Sequence, residues 1–319
     1  MPTCREDVKG GICICLKIEM SKIFTVFGAT GQQGGALIKY LLNHPRFLKI
    51  YRVRGVTRDV GKSSARALVD LGVEMVEADM NDPISLEKAT RDSHTVFAMT
   101  NYWDTASRAA ETAQGKALAD AAVAASATLL IWSSLPRIGL PNFDSKADVE
   151  DYIRTLPITS AFFMPGWFMQ NQLTFARPQQ QEDGKYVLKR LFPGCESTTL
   201  VPLVDIEDIG RFLQPVLDEP ERYTGMRLTG CRAFVTPVEM CRAWERVAGV
   251  EVIFEGDNNG DGEDVGVKGE KDTWGGGGKE DSPYYGPGSK EALEWTLAQM
   301  EEEPGSWEGF VERCGPWFE

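Results

Sequence analysis

One turn limits what this chain can fold into. Gly28-Ala29-Thr30-Gly31-Gln32-Gln33-Gly34 follows directly on the apolar, β-branched run Ile23–Phe27 and leads into Gln33–Leu42, whose apolar residues recur at helical spacing. Strand, glycine turn and helix in that order form the first unit of an alternating α/β fold. In such a turn Gly28 lets the chain reverse tightly, Gly31 lets the backbone approach a diphosphate, and Gly34 lets the helix pack closely on its strand. The helix amino terminus, with Thr30, Gln32 and Gln33 around it, then offers N–H groups and partial positive charge to an anion.

The alternation continues along the chain. Strands are expected at Tyr51–Thr57, Glu74–Glu77, Thr95–Met99, Thr128–Trp132 and Ile158–Phe163, with helices at Ser63–Leu71, Pro83–Ala89, Ala106–Ala125 and Asp148–Arg154. The strands are nearly continuous in apolar residues, as strands covered on both faces are. The expected fold class is α/β, a doubly wound parallel Rossmann sheet with a smaller C-terminal α/β lobe. Three divisions are expected: a dispensable extension over 1–19 with Met20 as the natural start, a core domain over 20–165, and the smaller lobe over 166–319. In that lobe, short strands are expected at Lys185–Leu188 and Thr198–Pro202, and helices at Asp208–Leu217, Pro237–Ala248 and Lys290–Glu302. Residues 256–289 stand apart, with eleven glycines, eight acids and three lysines, and are expected to form a flexible surface insertion. Within it Asp257-Asn258-Asn259-Gly260-Asp261-Gly262 imitates the start of a calcium loop, but Lys268 stands where a bidentate Glu closes such a shell.

With 34 Lys+Arg against 47 Asp+Glu, the net charge of -13 repels phosphodiester backbones and anionic lipid surfaces. No direct nucleic-acid or membrane partner is expected, and no apolar stretch is long enough to cross a bilayer. The seven cysteines include no C-x-x-C pair, and an odd number cannot all pair within one chain. Reduced thiols and a cytoplasmic location fit best, with a nuclear one open to a regulator. Two histidines are too few for a His-based site, so no metal is expected.

The end of the second expected strand discriminates between dinucleotides. An acidic residue there binds the ribose hydroxyls of NAD; this chain reads Val56-Thr57-Arg58-Asp59, with Lys62 close behind. Arg58 forks onto a 2′-phosphate, so NADP(H) is the expected cofactor unless Asp59 faces the ribose instead or Arg58 is a solvated loop charge. Asp79-Met80 follows the third strand, where a side chain brackets the adenine; a helix cap is the other reading of Asp79. Thr100-Asn101-Tyr102-Trp103 follows the fourth, where the chain passes the pyrophosphate and nicotinamide ribose.

From Lys22 to about Leu217 the chain resembles the NmrA-like (HSCARG-like) family, an atypical branch of the short-chain dehydrogenase/reductase superfamily. The resemblance rests on the Gly28–Gly34 turn, Thr57-Arg58, Thr100-Asn101-Tyr102-Trp103, Asn142-Phe143-Asp144-Ser145-Lys146, Met164-Pro165-Gly166-Trp167-Phe168-Met169-Gln170-Asn171 and Val204-Asp205-Ile206-Glu207-Asp208-Ile209-Gly210. It implies an NADP-binding Rossmann domain under a smaller lobe. Family members include redox-sensing regulators as well as oxidoreductases of secondary metabolism.

One departure concerns chemistry. Where the superfamily has Tyr-x-x-x-Lys, this chain has Asn142 at the Tyr place and Lys146 at the Lys place. Asn donates no acidic proton, and a missing general acid costs about 10²–10⁴ in rate. Lys146 is then the candidate to hold the nicotinamide ribose and shuttle the proton, a helix-terminus cation being the other reading. Ser133 is positioned to polarise a carbonyl, and Tyr102 or Tyr152 to substitute as donor. Gly166, Trp167, Phe168 and Gln170 are expected to form the wall where nicotinamide and substrate meet, suited to an apolar or aromatic small molecule. The expected function is an NADPH-dependent oxidoreductase on such a metabolite, as a monomer or weak homodimer. The alternatives are a non-catalytic NADP(H) sensor acting through a regulatory protein partner, and a dehydratase or cyclase.

Overall fold

The computed structural model describes residues 21–256 and 281–318, so the extension over 1–19 and the calcium-like loop lie outside the described residues. β1 (Lys22–Phe27) enters the glycine turn and α1 (Gln32–Asn43), and a single-turn α2 (Phe47–Ile50) leads to β2 (Tyr51–Thr57). Then follow α3 (Ser63–Asp70), β3 (Glu74–Glu77), α4 (Pro83–Thr90), β4 (Ser93–Ala98), α5 (Arg108–Ala124), β5 (Leu129–Ser133), α6 (Pro141–Ile153) and β6 (Thr159–Pro165). Beyond them come β7 (Trp167–Phe168), β8 (Gln179–Gln180), β9 (Tyr186–Lys189), β10 (Val201–Val204), α7 (Ile209–Asp218), β11 (Arg227–Gly230) and β12 (Ala233–Val235). The chain closes with α8 (Pro237–Ala248), β13 (Val252–Glu255), α9 (Ser289–Leu297) and α10 (Trp307–Cys314).

The central sheet runs β3-β2-β1-β4-β5-β6-β11, with every pair parallel. Strand order reverses between β1 and β4, which opens a crevice at their carboxyl ends. Side chains alternate across the sheet: Leu130 and Phe162 feed one apolar cluster with Leu118, Trp132 and Val149, while Ile131 and Phe163 feed the other with Leu37, Ile38 and Phe212. A third cluster, built on Trp244, Trp307, Phe310 and Trp317, is the core of the smaller lobe, beside two three-stranded sheets.

Three expectations need correcting. α6 starts at Pro141, well before the expected Asp148, because its early polar residues find partners outside the helix: Asp144 accepts from the Ile138 and Gly139 N–H groups of the preceding loop and meets Arg108 on α5. Periodicity alone did not reveal a helix whose first turns carry Asn142, Asp144 and Lys146. The division at 165/166 is not clean either, since β11 extends the central sheet beside β6 and α7 packs on α1. An uncovered β6 edge would leave a row of unpaired backbone groups, which β11 removes. Finally, the expected flexible insertion over 256–289 ends early. Tyr284 and Tyr285 are buried, the Tyr285 hydroxyl donates to the Met164 carbonyl at 2.8 Å, and Ser289 begins α9. Two aromatic side chains of that size outweigh the glycines around them.

Candidate functional site

The glycine turn sits at the carboxyl end of β1. Gly28 has φ +67°, a left-handed conformation that a side chain would strain, and a Cβ on Gly34 would lie 2.3 Å from the Gly28 carbonyl oxygen. The turn and α1 are therefore pressed together as a diphosphate cradle requires. Gly31 caps α1 without a side-chain hydrogen bond, and no acidic residue occupies its first turn, which leaves the positive end of the helix to an outside anion. Thr30, Gly31 and Gln32 are exposed around it. Gln33 is buried, and its Oε1 accepts from the Ser133 hydroxyl at 2.8 Å, tying the turn to the end of β5.

Thr57 and Arg58 lie at the carboxyl end of β2, with Lys62 exposed in the following loop. Asp59 Oδ1 accepts from the Gly61 N–H at 2.8 Å within its own loop. Arg58 instead meets Asp104, in the turn after β4, at 3.0 Å. Asp104 is held from its other side by the Asn101 amide at 2.8 Å. Asp79 is not a helix cap, since Asp82 caps α4; its carboxylate accepts from the Asn81 N–H and amide, shaping the loop where Met80 is half-buried.

Behind this rim lies a buried polar cluster. Glu111 on α5 is fully buried and accepts from the Thr100 hydroxyl at 2.8 Å, the Ser145 hydroxyl and the Lys146 ammonium. The helix crossing explains the meeting. A Cβ on Gly115 would lie 2.5 Å from Val149, and Glu111 stands one turn before Gly115 as Ser145 stands one turn before Val149. Burial pushes the Lys146 ammonium below the ordinary lysine range, while Glu111 pulls it back up. Neither Tyr102 nor Tyr152 joins this cluster: Tyr102 donates to the Ala106 carbonyl at 3.2 Å, and Tyr152 to Asp120 at 2.6 Å.

The segment after β6 forms an aromatic wall. Gly166 donates to the Gly230 carbonyl at 2.8 Å, Trp167 packs against Phe192 and Phe175 at 5.8 and 6.1 Å between ring centroids, and Phe168 turns to the main core. The Gln170 amide accepts from the Ile206 N–H at 3.1 Å and donates to Asp205 at 2.5 Å, bracing the turn before α7. Two groups in the segment are buried without a protein partner, the Trp167 indole N–H and both ends of the Gln172 amide. The sequence-based reading missed Glu111, Asp104 and Gln172. Glu111 was detectable, because it shares a helical stripe with the buried Gly115, Leu118 and Ala122.

Among the described residues no cluster of His, Cys, Asp and Glu could hold a metal ion, and no helix is long and apolar enough to cross a membrane. The NmrA-like family model matches residues 20–256. The chain belongs to the NmrA-like family. An NmrA-like family domain-containing oxidoreductase, himF of Aspergillus japonicus, is 33% identical over 259 residues, covering 73% of this chain and 75% of its own. Among solved structures, the negative transcriptional regulator NmrA in complex with NADP superposes with TM-score 0.70 at 21% identity, covering 93% of this chain and 96% of its own. The NADPH-dependent quinone oxidoreductase QOR2 of Escherichia coli, complexed with NADPH, gives 0.68 at 18% identity over 91% and 99%. At these identities the two structures establish the shared fold.

Proposed function

We propose that this NmrA-like protein binds NADP(H) and is an NADPH-dependent oxidoreductase for a flat, largely apolar metabolite. Its residues fit the cofactor in chemical kind. The uncapped end of α1 and the Gly28–Gly34 turn suit a diphosphate, Arg58 and Lys62 suit a 2′-phosphate, and Thr100 and Asn101 stand at the switch-point crevice. NADPH supplies a hydride when bound. Lys146 orients the ribose and holds the proton that accompanies reduction, while the Trp167 ring, packed between Phe192 and Phe175, offers an apolar face to an aromatic substrate.

The observation that carries the enzymatic reading is the burial of Lys146 against Glu111, which also accepts from Thr100; a lysine held so would supply the proton that accompanies reduction. The named oxidoreductase relative supports the same reading. The test is NADPH consumption by the purified chain against quinones, enones and imines, with Lys146→Met as control. Substrate-dependent consumption lost in that variant supports the proposal. Absence of consumption across the panel contradicts it.

Asn142 favours a second reading, a sensor of the NADP(H) redox state acting through a protein partner, because no tyrosine stands in its place. Tight binding without consumption, and an affinity that differs between the oxidised and reduced cofactor, would select it.

A further inference from the structure

We propose that Glu111 is a positioning residue for Lys146, holding its ammonium in place and charged at the ends of β4 and β5. The inference deepens the oxidoreductase reading and rests on it for its purpose, though not for its test. A fully buried carboxylate is costly unless every lone pair that matters meets a donor. Glu111 meets three: Oε1 takes the Thr100 hydroxyl and the Lys146 ammonium, and Oε2 takes the Ser145 hydroxyl. These donors come from two separate elements, the end of β4 and two adjacent positions of α6, so the carboxylate joins the loop that passes the crevice to the helix that bears the lysine.

Packing alone does not call for this arrangement, since an apolar pair of the same volume would fill the α5–α6 crossing at least as well. Neighbouring charges are committed elsewhere. Arg108, one turn earlier on α5, binds Asp144 and Asp148, and Glu150 on α6 binds Arg154 and Arg227. Glu111 is thus the charged group that acts on Lys146. Ser145 and Thr100 orient the carboxylate, and the carboxylate orients the ammonium.

The test measures trinitrophenylation of Lys146 by trinitrobenzenesulfonate, in which the neutral amine displaces sulfite from the ring, at constant neutral pH, quantified by mass spectrometry on the full chain without cofactor. Glu111→Gln removes the charge and preserves the shape. With the ion pair gone, Lys146 must react about tenfold faster or more, the change that one unit of pKa produces, while other lysines keep their rates. Ser145→Ala, which removes a neutral donor, must leave the rate within about twofold on the same scale. A Lys146 rate unchanged by Glu111→Gln, or raised equally by both variants, overturns the proposal. Should Glu111→Gln fail to fold, Glu111→Asp serves instead: its shorter arm withdraws the charge, so the rate must again rise, and a wild-type rate is the contrary result. Protection of wild-type Lys146 by added NADP⁺ reports separately on the cofactor reading. Faster labelling in the variant without protection in the wild type retains the role of Glu111 and removes NADP(H) from the site.

Discussion

Arg58 Nη1 lies 3.0 Å from Asp104 Oδ2, an ion pair that joins the end of β2 to the turn after β4 across the rim of the switch-point crevice. The residue best suited to a 2′-phosphate therefore already faces an anion of the protein itself. A phosphate arriving at Arg58 competes with Asp104 and is repelled by it. Asp104→Asn is expected to tighten NADP⁺ binding about two- to fivefold and leave NAD⁺ unchanged, in keeping with an exposed pair worth up to about 1 kcal/mol. Calorimetric titration of both cofactors checks this. Weaker NADP⁺ binding would mean that Asp104 organises Arg58 rather than competing for it.

Gln172 is fully buried with neither end of its amide partnered by the protein. Gln172→Met keeps the volume and removes the desolvated polar atoms, so the variant is expected to be more stable by about 1–2 kcal/mol. Urea unfolding measures the difference. A loss of stability would show that a bound water or ligand satisfies the amide.

Tyr285 ties the segment before α9 to the end of β6 through its bond to the Met164 carbonyl. Tyr285→Phe is expected to cost about 1 kcal/mol. Tyr284→Ala, which empties a site between Phe143, Phe192 and Tyr285, is expected to cost about 3–5 kcal/mol. Unfolding curves with wild-type midpoints would show that this segment contributes nothing to the core.

At the start of α8, Thr236 and Glu239 form a reciprocal cap, and the Thr236 N–H and hydroxyl hold the Glu239 carboxyl below the usual carboxylate range. Because the folded pKa lies below the unfolded one, this contribution is present above the unfolded pKa and is lost as pH falls through the folded value. Glu239→Ala should therefore be less stable than wild type by about 1 kcal/mol at neutral pH, with the gap closing in acid. Thermal melts across that range test it. A gap independent of pH would mean that the carboxylate is not involved.

Much of the fold was legible because the strands of the parallel sheet are short apolar runs separated by amphipathic helices, as β5 and β6 show. The glycine turn was legible because only glycine tolerates the contacts at Gly28 and Gly34. The start of α6 was not, because its polar residues find partners on α5 and in the preceding loop, and no local pattern encodes a partner distant in sequence. For the same reason Lys146 was named without Glu111, and Arg58 without Asp104. The partners of Gln170 were not legible either, because a polar residue in a wall segment looks alike whether it faces a ligand or a backbone turn. Its partners, Asp205 and Ile206, come from a loop that folds back from beyond β10.

The most direct measurement is a calorimetric titration of the purified full chain with NADP⁺ and NAD⁺ side by side, repeated on Arg58→Ala. NADP⁺ is expected to bind about ten- to hundredfold more tightly than NAD⁺, as one charge-assisted contact implies, and Arg58→Ala to erase the difference. Equal affinities in the wild type, or no binding of either dinucleotide, would contradict the account.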